Sequence, residues 1–352
     1  MNDLDFESLQ QAWPRPSQPH PIVIIGAGAI VNDAHLPAYA KAEFPVAGIY
    51  DPDSGRARDA ADKFGLPTTF SSLEEALSME GVVYDIAVPP EHTYAVVAAL
   101  PSGSAALMQK PMGSDLKDAD RILRTCQERQ LVAAVNFQLR FSPMMLALAD
   151  VIAQGGLGEI LDLDVHLSCR TPWENWPFMS KLKHVEVPMH SIHYLDWIRS
   201  VLGEPNGVYS RSVRHPDFPE LNDARTSTIL DYGDRVRCCL SLNHTNRFGS
   251  ANQDASITVE GTRGAARVSL GLLLNYPHGE PETLQVADGF GWTDVPIRGR
   301  WFPDGFAGVM ANLQRFLASE DDVLHTNVLD ARKTMSLVTA CGVSSDRGGI
   351  QI

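Results

Sequence analysis

Five short apolar runs punctuate the first third of the chain: Ile22 to Ile25, Phe44 to Tyr50, Val82 to Val88, Ala105 to Met108 and Leu131 to Asn136. Runs this short, continuously apolar and rich in β-branched residues predict strands buried on both faces. The stretches between them carry helical periodicity. These are Asn32 to Lys41 (interrupted near Pro37), Arg56 to Phe64 before Gly65, Leu73 to Met79, His92 to Leu100 and Asp115 to Arg129. The last has Ala119, Ile122, Leu123 and Cys126 on one face. Strand and helix in alternation predict a doubly wound parallel sheet with helices on both faces and ligands at the carboxyl ends of the strands.

The pattern changes after residue 140. Leu161 to Ser168, Gly207 to Val213, Thr226 to Tyr232, Val236 to Asn243, Ser256 to Glu260 and Ala265 to Ser269 have strand character. Tyr232-Gly233-Asp234 and Glu260-Gly261-Thr262 read as turns between them, so this part predicts an antiparallel sheet. Helices around Ala307 to Leu317 and Val328 to Ala340 close the chain. Residues 1–20 read as an extension with a short helix around Phe6 to Trp13, then an extended path forced by Pro14, Pro16, Pro19 and Pro21. The expected organisation is α/β plus α+β: an extension at 1–20, a parallel-sheet domain at 21–140, and a mostly antiparallel-sheet domain at 141–352 for substrate binding and oligomerisation, whose C-terminal helices have the alternative of packing back on the first domain.

Composition narrows the partners. The chain has 352 residues, enough for two domains, and its 44% hydrophobic and 20% charged residues are those of a folded protein. A net charge of −14 argues against a nucleic-acid or anionic membrane partner. No apolar run approaches the ~20 residues that span a bilayer, and the acidic N-terminus does not read as a secretory signal, so a cytoplasmic location is expected. Cys126, Cys169, Cys238, Cys239 and Cys341 show no metal-ligand spacing and read as reduced packing residues, with Cys238 and Cys239 on opposite faces of a strand. No metal site is expected.

The first strand runs directly into Gly26-Ala27-Gly28-Ala29-Ile30-Val31. Gly26 permits a tight turn, and Gly28 lets a pyrophosphate approach the N–H groups of Ala29 and Ile30 at a helix start. Val31 stands where a third glycine is usual, so the G-x-G-x-x-G fingerprint is incomplete. Asp51 ends the second strand 23 positions after Gly28, where an acidic side chain accepts hydrogen bonds from an adenosine ribose. Its charge would repel a 2′-phosphate, which favours NAD over NADP, although Arg56 stands nearby as a cation. Pro89, Lys110 and Asn136 follow the other strand ends, so one crevice is expected to collect Gly26, Asp51, Pro89, Lys110 and Asn136.

With VPPEH at 88–92, MQKP at 108–111 and NFQLRFSP at 136–143, the chain resembles the Gfo/Idh/MocA oxidoreductase family over nearly all of its length after residue 20. The resemblance implies an N-terminal Rossmann domain, a C-terminal open-faced sheet and a homodimer or homotetramer formed through that sheet. The family's E-K-P signature is matched by Gln109-Lys110-Pro111. Pro89, Pro90 and His92 match its P-x-x-x-H element at the nicotinamide pocket, and Arg140, in its strand-and-crossing segment, is expected to bind substrate.

The family helix D-x-G-x-H-x-x-D is matched in part at 189–196. His193 and Asp196 fit, but Met189 replaces the first aspartate and Ser191 the glycine. Pro188 suits the first helical turn, with Ile192, Leu195, Ile198 and Leu202 as a buried stripe. A base is needed for the O–H proton while hydride leaves the same carbon. His193, kept neutral near a helix N-terminus, fits that task, and the Lys110 ammonium fits the developing alkoxide. Met189 cannot orient His193, which brings His190 or Glu186 forward as replacements, and Gln109 removes a charge that would hold Lys110. In the loop 170–184, Trp173, Trp176 and Phe178 are suited to stacking on a sugar face.

The expected function is NAD(P)-dependent hydride transfer at a secondary alcohol or ketone of a sugar, polyol or sugar acid. The alternatives are an NAD-retaining glycosidase or epimerase-like enzyme and a non-catalytic NAD-binding regulatory protein of the same fold.

Overall fold

The computed structural model describes residues 5–175, 177–275, 279–289, 291–350 and 352. They form two compact units, one of Trp13–Phe141 and Phe302–Ser336, the other of Met1–Ala12, Ser142–Trp301 and Leu337–Ile352.

In the first unit, β1 (Ile22–Ile25), β2 (Val46–Tyr50), β3 (Val83–Ile86), β4 (Ala105–Met108) and β5 (Val132–Val135) form one parallel sheet in the order β2-β1-β3-β4-β5. The order reverses at β1, which places the ligand crevice of a doubly wound fold at the ends of β1 and β3. Its helices are α1 (Leu36–Lys41), α2 (Ser54–Phe64), α3 (Leu73–Leu77), α4 (Pro90–Ala99) and α5 (Leu116–Glu128). Local chemistry sets several ends. Asp53 caps α2 through the N–H of Gly55, Gly65 closes it in a left-handed conformation, and Asp115 caps α5 through the N–H of Asp118. Pro37 does not interrupt its helix. The backbone is helical on both sides of it, as a π-helical turn over Val31–His35 and as α1 from Leu36, so the proline stands where π winding gives way to α winding.

In the second unit, α6 (Pro143–Ala153), β6 (Ile160–Ser168) and α7 (Ile192–Leu202) are followed by β7 (Gly207–Val213), β8 (Arg225–Asp231), β9 (Arg237–Asn243), β10 (Asp254–Gly261) and β11 (Ala265–Ser269). Two further strands, β12 (Thr283–Ala287) and β13 (Trp292–Val295), complete an eight-stranded sheet in the order β13-β12-β11-β10-β6-β9-β8-β7. All its pairings are antiparallel except β6 with β9. Cys238 is buried and Cys239 half-buried, as strand alternation requires.

The chain ends in α8 (Trp301–Leu317), kinked at Phe302, and α9 (Val328–Arg347). Phe306, Val309, Met310 and Leu313 of α8 pack into the core of the parallel-sheet unit with Ile22, Ile24, Leu107 and Ala134. Among the described residues, no helix is long and apolar enough to cross a membrane.

The helix expected around Phe6 to Trp13 does not form. Asp5 accepts the N–H of Glu7 on its side chain and that of Ser8 on its carbonyl, and the Gln10 N–H goes to the Asp150 carboxylate. Those bonds replace a helical ladder.

Candidate functional site

The turn after β1 is built for a close approach. Gly26 has φ +109°, and a Cβ there would press into the Ala87 carbonyl just past β3, so the two strand ends can lie side by side only with glycine. Gly28 differs: a Cβ added there would project into open space. The absent side chain therefore leaves room for a ligand rather than for protein. Asn32 donates to the carbonyls of Ala27 and Gly28 at 3.2 and 3.1 Å and fixes the turn from behind. Val31, in place of a third glycine, is fully buried at the start of the π turn. The Asp51 carboxylate accepts the Ala27 N–H at 2.8 Å and the Asp53 N–H at 2.9 Å, which holds it beside the glycine turn. Open space at Gly28, the first N–H groups of a helix at Ala29 and Ile30, and an anchored acid at Asp51 together fit a dinucleotide. Arg56 is exposed and lies 3.5 Å from Asp53.

Pro89 is exposed at the cap of α4, Pro90 is buried in its first turn, and His92 is exposed one turn along. Asn136 is fully buried just past β5. Lys110 follows the last ladder bond of β4, made by Gln109 N–H to the Ile86 carbonyl at 2.8 Å. Its side chain is half-buried, and burial lowers its pKa to about 8. Gln109 does more than lack a charge: its Oε1 accepts the Lys110 backbone N–H at 2.7 Å. Arg140 is committed to Asp330 at 2.8 Å and to the His325 carbonyl at 3.4 Å, both within its own unit.

In the second unit, the helix that carries His193 begins earlier than its α segment. Val187–Ser191 forms a π turn that runs into α7, so His193 lies in the second turn, where an N-terminal dipole acts less than at the start. The π spacing sets Glu186 and Ser191, five residues apart, on one side, and the Ser191 hydroxyl donates to the Glu186 carboxylate at 2.8–2.9 Å. Glu186 is fully buried and lies 3.3 Å from His244 Nε2. Burial alone would lower the His244 pKa, but the Cys169 sulfur and the Glu186 carboxylate outweigh it and hold it up, at about 9. His190 lies over His244 with ring centroids 4.2 Å apart.

Met189, at the position where the resemblance led to an aspartate, is buried in an apolar cluster with Trp173, Met179, Val185, Leu221 and Ala224. Trp173, expected to stack on a sugar, is only 5% exposed. It packs edge-on to His190 and donates its indole N–H to the His244 carbonyl at 3.3 Å. Its faces are filled by its own unit. Phe178 packs on the same cluster, and Trp176 lies outside the described residues. His193 is nearly buried and meets the ring of Trp301 edge-on at 6.0 Å. Trp301 and His244 escaped the sequence reading. Trp301 stands more than 100 residues from His193, and the strand-end histidine belongs to no motif.

Residues 21–137 match a family model described as oxidoreductase family, NAD-binding Rossmann fold, and residues 145–267 match the C-terminal domain model of the same family, GFO/IDH/MocA. D-apiose dehydrogenase from Rhizobium rhizogenes is 24% identical over 337 residues, covering 92% of this chain and 95% of that protein. Trans-1,2-dihydrobenzene-1,2-diol dehydrogenase from Bos taurus is 31% identical over 266 residues, covering 70% and 72%, whereas the mouse protein of that name aligns over 42% of its length. The crystal structure of an oxidoreductase from Agrobacterium radiobacter in complex with NAD+, L-tartaric acid and magnesium has a TM-score of 0.78 at 22% identity, covering 94% of this chain and 98% of that one. That last likeness is one of fold.

Proposed function

The chain belongs to the Gfo/Idh/MocA oxidoreductase family, and we propose that it moves hydride between a nicotinamide cofactor and a CH–OH carbon of a sugar, polyol or sugar acid. The observation that carries this reading is Lys110: an amine at the end of β4, one strand from the β1/β3 crevice, with its pKa brought down to about 8. The cofactor, when bound, supplies the hydride acceptor or donor. The chain's own groups manage the oxygen and its proton. Lys110 stabilises negative charge on the reacting oxygen, and His193 takes the hydroxyl proton, with His190 the second candidate acceptor. The N–H groups of Ala29 and Ile30, opened by Gly26 and Gly28, receive the pyrophosphate. Asp51 receives the ribose hydroxyls, and its charge makes NAD the preferred cofactor over NADP. Pro89, Pro90, His92 and Gln109 border the nicotinamide. Arg140, tied to Asp330, supports its segment rather than touching substrate. A homodimer or homotetramer forms through the C-terminal sheet, a reading supported by exposed Tyr209 and Ile229, which face one another across β7 and β8.

The test is a 340 nm absorbance screen with NAD and NADP. The panel of sugars, polyols and dihydrodiols includes D-apiose, which appears in a relative's name. Lys110→Ala should lower turnover by about 10²-fold or more on any substrate found. Full activity in that variant would overturn the Lys110 assignment, and a preference for NADP would overturn the Asp51 argument. Burial of Met189 in an apolar cluster favours a second reading, a non-catalytic NAD-binding protein. Tight NADH binding with no turnover across the panel selects it.

A further inference from the structure

Behind Lys110 lies an unbroken series of hydrogen bonds within the parallel-sheet unit. Asp85, on β3, is fully buried, and its Oδ2 lies 2.7 Å from the Tyr39 hydroxyl and 2.7 Å from His35 Nδ1. Burial and the Asp85 charge hold the Tyr39 phenol protonated, its pKa well above the ordinary value. His35 is also fully buried, with its ring against the edge of Phe306 at 4.9 Å. Facing a carboxylate, Nδ1 must carry a proton, which leaves Nε2 as an acceptor. The Gln109 side-chain nitrogen lies 3.0 Å from Nε2 and can only donate. The other end of the same amide, Oε1, accepts the Lys110 N–H. Each donor and acceptor is thus determined by its neighbour, from Tyr39 to Lys110. A glutamate at 109 would have no proton to offer His35 in this tautomer, whereas glutamine has one.

The series ends where the sheet no longer holds the chain. Gln109 makes the final ladder bond, and beyond it the Lys110 peptide N–H is held by the Gln109 side-chain amide instead of the sheet.

We propose that His35 is a positioning residue for Lys110, acting through the side-chain amide of Gln109. The proposal rests on the role given to Lys110 above. Buried polar groups that satisfy one another rigidify what they hold, and small displacements of a reacting group can lower rates about 10²-fold.

The test follows Lys110 itself. Trace acetic anhydride is applied to the full chain across pH 6–11, and the labelling of Lys110 is read by peptide mass spectrometry. The wild-type amine should titrate at about 8. His35→Phe, which keeps the ring and removes both nitrogens, should move that midpoint by about half a unit or more. Gln109→Met breaks the same link from a half-buried position, so it answers the question even where His35→Phe does not fold. His35→Gln supplies a donor and an acceptor at similar spacing and should restore the wild-type midpoint. With a substrate from the screen, His35→Phe and Gln109→Met should each lower kcat about tenfold or more with little change in KM, and the double variant should be no worse than either. A folded Gln109→Met protein with wild-type Lys110 titration and kcat overturns the proposal. Full activity in Lys110→Ala overturns the catalytic reading instead, and the labelling midpoint still reports on the positioning.

Discussion

The Glu186 carboxylate lies 3.3 Å from His244 Nε2, and neither side chain reaches solvent. The pair joins the start of the His193 helix to the residue just past β9. Ser191 satisfies the same carboxylate, and Thr171 Oγ1 lies 2.8 Å from His244 Nδ1, so both charges are hydrogen-bonded as well as paired. Removing one member strands the other in a low-dielectric interior. Glu186→Gln or His244→Leu should each lower stability by about 3–5 kcal/mol in urea titrations. The double variant Glu186→Gln/His244→Leu should lose clearly less than the sum. Additive losses would show that the two groups are not coupled.

The same pair makes stability depend on pH. The folded-state pKa of His244, about 9, lies above the ordinary histidine value of 6.5. Its contribution is therefore fully present below pH 6.5 and is lost as pH rises through about 9. The gap in Tm between wild type and His244→Leu should narrow over that interval. A constant gap from pH 6 to 10 would mean that His244 is not charged in the fold.

The Lys110 pKa is displaced in the opposite direction. Burial disfavours its ammonium, so an activity that needs the charged form should fall above a pH of about 8. The limb should appear in kcat/KM, which reports the free enzyme. Lys110→Arg keeps its charge throughout, so whatever activity it retains should lack that limb.

The two turn glycines separate folding from binding. Gly26→Ala meets the Ala87 carbonyl at positive φ and should lower stability by about 1–3 kcal/mol. Gly28→Val places its side chain in open space, so Tm should hold while NADH affinity, followed by fluorescence titration, falls at least about tenfold. Unchanged affinity in Gly28→Val would remove the pyrophosphate from this turn.

Much of this architecture is legible locally. The five parallel strands and six of the eight in the second sheet announce themselves through apolar runs or alternation. β12 and β13 escape because their sequences carry little strand signal, not because they are short. TLQVA at 283–287 follows the Gly279–Pro281 turn residues, and WTDV at 292–295 exposes three of its four side chains. Both are strands because β11 offers an edge to pair with. The π turns at Val31–His35 and Val187–Ser191 leave no mark in the periodicity, since one extra residue in a turn resembles ordinary drift of an apolar stripe.

What the sequence alone determined is the order of strands and helices, the glycine turn with its acid, and the lysine at a strand end. All of these depend on neighbours within a few positions, through periodicity, φ preference and chain reversal. Tertiary structure alone decided which distant polar groups meet, Gln109 with His35 and Glu186 with His244, and that Met189 lies within an apolar cluster. A buried donor or acceptor must find its partner wherever packing brings one within 3 Å or so, and sequence separation carries no record of that distance.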